Sequence, residues 1–499
     1  KFRLYCSQST MLGPRTSSRA SPWHLVSSGV SRGAMFRNSL HAVTCSSSNS
    51  NTLAALAGMA AAVSRRRCFQ RSRCFIAGQR FLAHSTIMAA QPPVMISSSF
   101  DSGNGDLQGI PQEVSDGVWQ VAVNLRPEPY TQGTDKKAHS QWFHFRASNV
   151  AGRVLRVSIP NAGEASYADG FKGYRPATSY DRKYWFRCPK ATYEDGVLSW
   201  ELAVPPGQGC VWFAYFEPYS YERHQNLIAR CSASPLASCS VIGNSLDGRP
   251  LDLVTIGSGA CNIWVTARLH PGEAMAEWAG DGLLARLTDP EDALARHLRQ
   301  QATLRVIPNL NPDGSVRGHL RTNACGANLN REWARCPDDD TYDAPTLERS
   351  PEIFHLLREM DAVGCDAFID MHGDEKIEAN FFVKRRKTSR ITALEDRLSH
   401  ALLRANPDFQ LELGYEKETP DDEVDLSFYE EGERMPHVGS VQVGQRFDCL
   451  SVTLEMPFKD STHSTPEPEC QWSGSRSMKL GASLVDALCE VCPHLRSDH

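Results

Sequence analysis

The hydrophobic pattern divides the chain into two regions of different character. Between residues 96 and 222, short runs rich in aromatic and β-branched residues alternate with turn signals, and no long helical pattern is present. Several such strands at short spacing predict an antiparallel β-sandwich. The predicted strands are Val118–Val123, Gln141–Arg146, Val154–Ile159, Leu198–Ala203 and Cys210–Phe216.

From residue 223 to residue 499, apolar strand-like runs alternate with helical patterns. This alternation predicts an α/β domain with a largely parallel sheet, in which ligands bind beyond the carboxyl ends of the strands. Strands are predicted at Leu251–Ile256, Ile263–Leu269, Thr303–Ile307, Ala367–Met371 and Leu450–Met456. Helices are predicted at Glu273–Leu287, from the pair Asp289-Pro290 to Gln301, at Pro351–Ala362 and at Met478–Val491.

Charge separates the start of the chain from this folded body. Residues 1–100 contain twelve Lys or Arg and no Asp or Glu, and the other 41 basic and 58 acidic residues carry a formal charge of −17. An Arg- and Ser-rich segment without acids is typical of a transit peptide to a mitochondrion or plastid. We therefore predict a disordered or targeting leader over residues 1–95. The alternative is translated upstream sequence, because the chain does not begin with Met and start codons are available at Met11, Met35, Met59 and Met88.

The composition argues against several other classes of protein. The apolar run 52–63 is too short to span a bilayer as a helix, so a soluble protein without a membrane span is expected. The 16 cysteines show no disulfide spacing, which indicates a reducing compartment and favours the cytoplasm. The basic leader lacks an aromatic or motif pattern for nucleic acid, so no nucleic-acid partner is expected. The oligomeric state is not indicated.

Candidate chemistry begins where the predicted strand Ile263–Leu269 ends. His270 follows the strand, Pro271-Gly272 forms a turn, and Glu273 opens a helical pattern. A histidine and a carboxylate three residues apart can converge on a metal, since Zn²⁺ accepts imidazole nitrogen and carboxylate oxygen. The pair alone is weak evidence, because many such pairs are surface or capping residues.

Two further strand ends add to this pair. His372 terminates a predicted buried strand, so His270, Glu273 and His372 can form a three-ligand zinc site with an open position suited to hydrolysis. Glu455 lies within another apolar strand, where an unpaired carboxylate is costly. Glu455 is interpreted either as a general base or as half of a buried ion pair with Lys459 or an arginine.

Arginines and asparagines cluster between these motifs. Arg321, Asn330 and Arg331 lie in a turn-rich segment. A guanidinium group can bind a carboxylate bidentately or stabilise an oxyanion, and an amide can add a donor. The alternative is turn chemistry with surface arginines, which explains the asparagines but not the two arginines beside them.

At this point the sequence resembles the zinc carboxypeptidases, and within them the cytosolic carboxypeptidase subfamily. Five motifs in the family's order carry the resemblance, which covers residues 96–490. The motifs are His270-Pro-Gly-Glu273, Asn311-Pro-Asp-Gly314, Arg321 with Gly326-x-Asn-Leu-Asn-Arg331, Asp370-Met-His-Gly373 and Thr453-Leu-Glu-Met-Pro457. The segments Phe100-Asp-Ser-Gly-Asn104, Gln141-Trp-Phe143 and Pro218-Tyr-Ser-Tyr221 resemble the β-sandwich module of that subfamily.

The resemblance implies a fold and a metal site. The fold would be a mixed eight-stranded sheet between helices, preceded by the antiparallel β-sandwich. After the predicted leader 1–95, the domains would be the sandwich 96–222 and the catalytic domain 223–499. His270, Glu273 and His372 would bind one zinc ion per chain.

The resemblance also implies roles for four other residues. Glu455 would act as the general base and later as the proton donor, and Arg321 would polarise the scissile carbonyl and hold the oxyanion. Asn330 and Arg331 would bind the C-terminal carboxylate of the substrate, which makes the enzyme an exopeptidase.

Two positions depart from the family pattern. Asn328 stands where members often have Asp, but the position is not a ligand. Many members have a tyrosine shortly before the catalytic glutamate. No tyrosine lies between Glu430 and Glu455, and Tyr429 is only a loose match.

The predicted function is a zinc-dependent metallocarboxypeptidase acting on C-terminal tails of peptides or proteins. Members of the subfamily shorten glutamate-rich tails, including side-chain polyglutamate on tubulin, so deglutamylation is a candidate activity. Lys376 and the run Lys384–Lys387 would supply positive charge, although a solvated surface loop is the preferred interpretation of that run.

Two other functions stay open. One is a zinc amidohydrolase of N-acyl amino acids, like aspartoacylase and succinylglutamate desuccinylase, which share the metal triad. The complete Asn-Pro-Asp-Gly motif and the preceding sandwich argue against it. The other is a non-catalytic binding protein, against which stand the complete set of ligands, base and arginines.

Overall fold

The computed structural model describes residues 92–131, 139–337, 341–415, 434–461 and 471–496. The predicted leader 1–95 lies outside these ranges except for its last four residues. Within the described ranges, every helix is too short or too polar to cross a membrane.

The first part of the described chain forms two facing sheets of five strands each. Their orders are β1-β4-β10-β6-β7 and β2-β3-β5-β9-β8, and every pair is antiparallel except the parallel pair of β3 and β5. The strands are β1 Met95–Ser97, β2 Asp106–Ser115, β3 Val118–Asn124, β4 His144–Ser148, β5 Val154–Ile159, β6 Ala177–Ser179, β7 Phe186–Arg187, β8 Ala191–Glu194, β9 Val197–Ala203 and β10 Cys210–Ala214.

Aromatic side chains from both sheets form the core between them. Trp200 of β9 lies 5.3 Å from Phe213 of β10 and 6.3 Å from Phe145 of β4, measured between ring centroids. All three are at most 4% exposed. Because side chains alternate between the faces of a strand, the alternating pattern of the sequence brings these rings to one side. Packed aromatic pairs of this kind stabilise the sandwich.

The second part of the described chain is a mixed α/β region. Its strands are β11 Ala237–Asn244, β12 Pro250–Ile256, β13 Cys261–Ala267, β14 Ala302–Ile307, β15 Ala367–Met371, β16 Phe381–Val383 and β17 Leu450–Glu455. Its helices are α1 Tyr221–Ala233, α2 Ala274–Leu287, α3 Ala293–Gln301, α4 Pro312–Arg317, α5 Pro351–Val363, α6 Ser389–Ala405, α7 Gly439–Phe447 and α8 Gly474–Val491.

One mixed sheet organises this region, and the predicted fold class is confirmed. In the described residues the sheet has seven strands, in the order β11-β12-β14-β13-β15-β17-β16, whereas the family resemblance implied eight. The four strands β14, β13, β15 and β17 are parallel, and antiparallel strands flank them. The central strands are buried on both faces, which explains their continuous apolar runs.

Several predicted boundaries differ from the observed ones by a few residues, and two of the differences have local reasons. Helix α3 begins at Ala293, because the side chain of Asp292 accepts a hydrogen bond from the backbone N–H of Ala295; it does not begin at Asp289-Pro290. Strand β4 begins at His144 instead of Gln141. The Gln141 side chain bonds both backbone groups of Tyr167 and so holds a neighbouring loop.

The sandwich and the α/β region contact each other directly. Arg187 of β7 donates hydrogen bonds to the carbonyl oxygens of Phe458 at 2.5 Å and Trp472 at 3.4 Å. Arg175 forms an ion pair with Asp460. These contacts hold the chain just beyond β17, so the sandwich is anchored next to the strand that ends in Glu455.

Candidate metal centre and active site

The ends of three neighbouring parallel strands meet at one edge of the mixed sheet. Met371, the last residue of β15, lies opposite Ala267 of β13 on one side and Leu454 of β17 on the other. The next residues along β15 and β17 are His372 and Glu455. The strand register therefore places the predicted third ligand beside the predicted base.

A tight turn brings His270 and Glu273 to the same edge. The backbone of Arg268 has a φ of 58°, and its buried side chain donates from Nε to the Pro271 carbonyl at 2.7 Å. The N–H of Gly272 donates to Leu320 at 2.9 Å, and a Cβ on Gly272 would lie 2.7 Å from the Leu320 Cα. The turn thus needs glycine for its close approach to the neighbouring loop.

The three predicted ligands form one buried cluster. One carboxylate oxygen of Glu273 lies 2.7 Å from His270 Nδ1, and the other lies 2.9 Å from His372 Nδ1. The two Nδ1 atoms are 3.1 Å apart. Each side chain is at most 3% exposed. A set of ligand atoms this compact, all within 4.8 Å of one another, has the size of a mononuclear metal site.

The outer nitrogens of the two imidazoles indicate which way the rings are oriented. His372 Nε2 lies 2.9 Å from an oxygen of Asp370, and His270 Nε2 lies 3.3 Å from Asn328 Oδ1. That amide oxygen also accepts from the Asn330 N–H, which fixes it as an acceptor. Both Nε2 atoms are therefore assigned as donors, and the Nδ1 lone pairs face Glu273. The centre of the cluster is then lined by acceptors, the arrangement that a cation satisfies.

The electrostatics of the cluster are set by burial and by the neighbouring charges. Burial and the charge of Arg321 lower the pKa of His270 to about 3, so its imidazole is neutral. Burial alone would raise the pKa of Glu273, but the two histidines outweigh it and lower the pKa to about 2. Burial opposes a charge on His372, yet Asp370 and Glu273 raise its pKa well above the usual range. The carboxylates of Asp370 and Glu273 thus favour a positive charge at His372, and a divalent metal bound there would take the place of the proton.

Glu455 is a buried carboxylate beside the cluster. It is 8% exposed, and its Oε2 has no hydrogen-bond partner among the described residues. Burial raises its pKa to about 8; His372 and Arg321 oppose this rise, and Glu273 and Asp374 add to it. A carboxyl group whose pKa lies near neutral pH can exchange a proton in that range, as a general acid or base requires.

The alternative of an ion pair between Glu455 and Lys459 does not fit the geometry. Lys459 Nζ donates to the Lys172 carbonyl at 2.9 Å and lies 3.6 Å from a carboxylate oxygen of Glu378. The lysine is thus engaged elsewhere.

Arg321 lies at the rim of the cluster. Its Nη1 is 3.5 Å from His270 Nδ1, and its guanidinium carbon is 5.8 Å from the ring centroid of Tyr167. Tyr167 belongs to the sandwich, and burial raises its pKa to about 12. A guanidinium group in this position is within reach of charge that develops next to a bound metal.

Asn330 and Arg331 follow Asn328 along the same loop. The side-chain oxygen of Asn330 accepts from the N–H of Gly439 at 2.9 Å, and Arg331 Nη1 donates to the Asn330 carbonyl at 2.7 Å. Both side chains are half-buried. The structure therefore brings all seven predicted residues to one region, because Asn328 connects this loop to His270.

Sequence reasoning overlooked several residues that support the site. Asp370 and Asn328 orient the two histidines, and Asp370 also accepts from Thr266 Oγ1 at 2.7 Å. An acid in an otherwise apolar buried strand was the available signal for Asp370. Tyr415 donates to Asp374 at 2.7 Å, and its pKa is raised by burial and by the charge of Glu455. Tyr429 lies outside the described residues.

The basic run Lys384–Lys387 is packed against helix α6. Lys384 and Arg386 lie 3.3 Å and 3.1 Å from Asp396, and the backbone N–H of Arg385 donates to Glu395 at 2.7 Å. Asp396 therefore offsets part of its positive charge, and the run is not a fully solvated loop.

A buried network of charged side chains contacts the metal-binding turn through Arg268, which bonds both Glu277 and the Pro271 carbonyl. His224 of α1 lies 2.8 Å from Glu277 and 3.1 Å from Asp252. The other Glu277 oxygen accepts from Arg268 Nη1 at 2.6 Å. Burial lowers the pKa of His224, but its bonds to the two carboxylates outweigh this and raise the pKa to about 9.

The network makes stability depend on pH. Because the folded pKa of His224 exceeds the unfolded value of about 6.5, its contribution is full below pH ~6.5 and disappears as the pH rises through about 9. His224→Gln is expected to cost on the order of 2 kcal/mol at pH 6 and much less at pH 9.5. Urea unfolding at several pH values measures this difference. The same substitution at the exposed His297 should leave stability unchanged, and a pH-independent cost at His224 would contradict the linkage.

Comparison with known proteins identifies two matching family models. The model of the cytosolic carboxypeptidase N-terminal domain matches residues 96–216, and the model of the zinc carboxypeptidases matches residues 225–459. The chain is 40% identical over 359 residues to an uncharacterised protein of Zymomonas mobilis, which covers 71% of this chain and 88% of that protein. It is 28% identical over 320 residues to cytosolic carboxypeptidase 2 of Danio rerio, and it spans 42% of that protein's length.

Solved structures give a consistent picture. The fold is similar to that of a metallo-carboxypeptidase from Pseudomonas aeruginosa in complex with (2-guanidinoethylmercapto)succinic acid, with 35% identity and a TM-score of 0.69. The match covers 81% of this chain and all of that one. A metallo-carboxypeptidase from Burkholderia cenocepacia matches with 35% identity and a TM-score of 0.68, over 80% of this chain and 98% of that one.

Proposed function

This chain belongs to the zinc carboxypeptidase family, and we propose that it is a zinc-dependent carboxypeptidase that releases C-terminal residues from peptides or proteins. The observation that carries the proposal is the buried, acceptor-lined cluster of His270, Glu273 and His372 beside Glu455, whose Oε2 has no hydrogen-bond partner among the described residues. In this proposal the cluster holds one zinc ion. Bound zinc supplies Lewis acidity, which acidifies a water molecule and polarises a carbonyl group.

The protein groups around the cluster would then transfer the proton and stabilise the oxyanion. Glu455 accepts the proton of the attacking water at its free Oε2 and returns it to the leaving amine. Arg321 donates hydrogen bonds to the oxygen of the scissile carbonyl as negative charge develops there. Arg321 lies 3.5 Å from His270 and Glu455 interacts electrostatically with His372, which supports these assignments.

The loop beyond Arg321 would select a free C-terminus. Arg331 offers a guanidinium group, which binds carboxylates bidentately, and Asn330 offers an amide. The Asn330 oxygen already accepts from Gly439, so its NH₂ group is the one oriented away from that bond. An enzyme with this recognition removes residues one at a time from the chain end.

Glutamate as the released residue is the finer part of the proposal. Its support is the resemblance to the cytosolic carboxypeptidases, and a cytoplasmic location is proposed on the same ground. The basic run Lys384–Lys387 adds no support, since Lys384 and Arg386 pair with Asp396 and the run packs against helix α6. The residue preference therefore has to come from other groups and is decided by substrate comparison.

A peptide panel tests the proposed function. The full chain, loaded with zinc, is incubated with peptides that differ only in the C-terminal residue, glutamate included, and with C-terminally amidated twins. We expect release of single residues from the free acids and at least about 100-fold slower cleavage of the amides, because Arg331 loses its charged partner. Arg331→Met should reduce that discrimination mainly through KM.

Other outcomes of the panel point to the other functions. Hydrolysis of an N-acyl amino acid with no cleavage of peptides would replace the proposal by the amidohydrolase. Stoichiometric zinc without hydrolysis of any substrate would indicate a binding protein. Release of neutral or basic residues but not glutamate would reject the deglutamylase part alone.

A further inference from the structure

A segment of the sandwich reaches into the loop that carries Arg321. Glu128, four residues beyond β3, is 4% exposed, and both of its carboxylate oxygens are engaged. One oxygen accepts from the N–H groups of Leu320 at 2.7 Å and Arg321 at 2.9 Å. The other accepts from the N–H of Thr322 at 2.9 Å and from its Oγ1 at 2.6 Å. One side chain thus binds three consecutive backbone N–H groups.

The backbone of Glu128 is itself held in place. Its N–H donates to the His139 carbonyl at 2.8 Å, and its own carbonyl accepts from Thr131 Oγ1 at 3.1 Å. Two residues later, Tyr130 packs so closely on Gly326 that a Cβ there would lie 2.6 Å from its carbonyl. The carboxylate is therefore presented to the loop by a fixed segment of the sandwich.

Both ends of Arg321 are in contact with the sandwich. Glu128 holds its backbone N–H, and the ring of Tyr167 lies 5.8 Å from its guanidinium carbon. The Nη1 atom of the same guanidinium group lies 3.5 Å from His270 Nδ1. Hydrogen bonds to an ionised acceptor are strong and directional, so they restrict the positions the loop can adopt.

We propose that Glu128 is a positioning residue for Arg321: it fixes the loop Leu320–Thr322 so that the guanidinium group is set for the developing oxyanion before substrate binds. This inference rests on the proposed function, in which Arg321 holds that oxyanion. Preorganisation of such donors is a large part of their effect, since a donor that must first be ordered stabilises the transition state less. The sandwich is then a part of the catalytic apparatus and not only a support.

A double-mutant cycle separates positioning from general support. The variants Glu128→Ala, Glu128→Gln, Arg321→Ala and the double variant Glu128→Ala with Arg321→Ala are compared with the wild type. For each zinc-loaded protein, kcat and KM are measured on the best free-acid peptide. Zinc content and thermal midpoint are recorded in parallel.

The expected pattern is specific to an effect through Arg321. Arg321→Ala should lower kcat by about 10²- to 10³-fold, the range found for loss of an oxyanion donor. Glu128→Ala should lower kcat by about 10- to 100-fold with little change in KM, because substrate binding is left intact. Glu128→Gln retains one acceptor oxygen, so its kcat should lie between those of Glu128→Ala and the wild type. The double variant should be no slower than Arg321→Ala alone, since Glu128 then has nothing to position.

Arg175→Met is the matched control for a weakened contact between sandwich and α/β region. Arg175 pairs with Asp460 and does not touch the Arg321 loop. Its removal should lower the thermal midpoint without lowering kcat. A fall in kcat at Arg175 as large as that at Glu128 would mean that any loosening of the sandwich has this effect, and it would overturn the inference.

The remaining outcomes distinguish the inference from its premise. If Arg321→Ala keeps the wild-type kcat, the proposed role of Arg321 fails, and the positioning role fails with it. If Arg321→Ala is slow but both Glu128 variants are fast, or if the losses multiply in the double variant, Glu128 does not act through Arg321. Should Glu128→Ala fail to fold, the Glu128→Gln variant, alone and combined with Arg321→Ala, supplies the same comparison.

Discussion

Glu455→Gln is expected to lower kcat by about 10²- to 10⁴-fold while leaving zinc content and KM near the wild-type values. The substitution keeps the size of the side chain and removes its ability to accept a proton. The loss falls on kcat because the carboxylate acts on the attacking water and the leaving amine and not on the bound peptide. Steady-state hydrolysis of the best peptide gives kcat and KM, and metal analysis of the same sample gives the zinc content.

The matched control is the same substitution at another buried carboxylate. Glu395 of α6 is fully buried, and burial raises its pKa to about 7, but it accepts hydrogen bonds from the backbone of Arg385 and Arg386. Glu395→Gln should keep kcat unchanged. Wild-type turnover in Glu455→Gln, or an equal loss in both variants, would remove Glu455 from the mechanism.

The strands that place these residues were predictable from local pattern. The runs that became β13, β15 and β17 are continuous and apolar because each strand is buried on both faces. A polar residue at the end of such a run stands out, which is why His270, His372 and Glu455 were found. Their convergence follows from the parallel register of β13, β15 and β17, which the structure shows.

Contacts between distant parts of the chain were not predictable in the same way. Glu128 and Arg321 are 193 residues apart, and nothing in either segment marks the other. Asn328 was seen as a departure from a family pattern, but its bond to His270 depends on how the loop folds back. Short edge strands such as β16 were also not predicted, because three residues carry too little periodicity.

The expected count of eight strands had a different origin. It came from the family resemblance and not from the pattern of this chain, and the described residues form seven strands in the mixed sheet. Local errors at α3 arose because Asp289 and Asp292 are both plausible N-caps, and the hydrogen bond to Ala295 decides for Asp292. Element type was thus more predictable than element boundaries.

His372→Ala is expected to abolish stoichiometric zinc binding and to reduce turnover to that of the chelator-treated wild type. Two ligands remain, His270 and Glu273, and they leave the ion with one protein donor fewer than a catalytic zinc site normally has. Turnover of the wild type should be lost with a chelator and restored by added Zn²⁺, whereas the variant should not recover at the same zinc concentration. Metal analysis after dialysis and peptide release measure the two effects.

Asp370→Asn provides the graded test of the same site. Its carboxylate lies 2.9 Å from His372 Nε2 and orients the ring without belonging to the cluster. Loss of such a partner typically weakens metal affinity by about 10- to 100-fold, so excess zinc should restore turnover in Asp370→Asn but not in His372→Ala. Full zinc occupancy in His372→Ala would show that the metal is held elsewhere. Recovery of both variants to the same extent would show that His372 is not needed as a ligand.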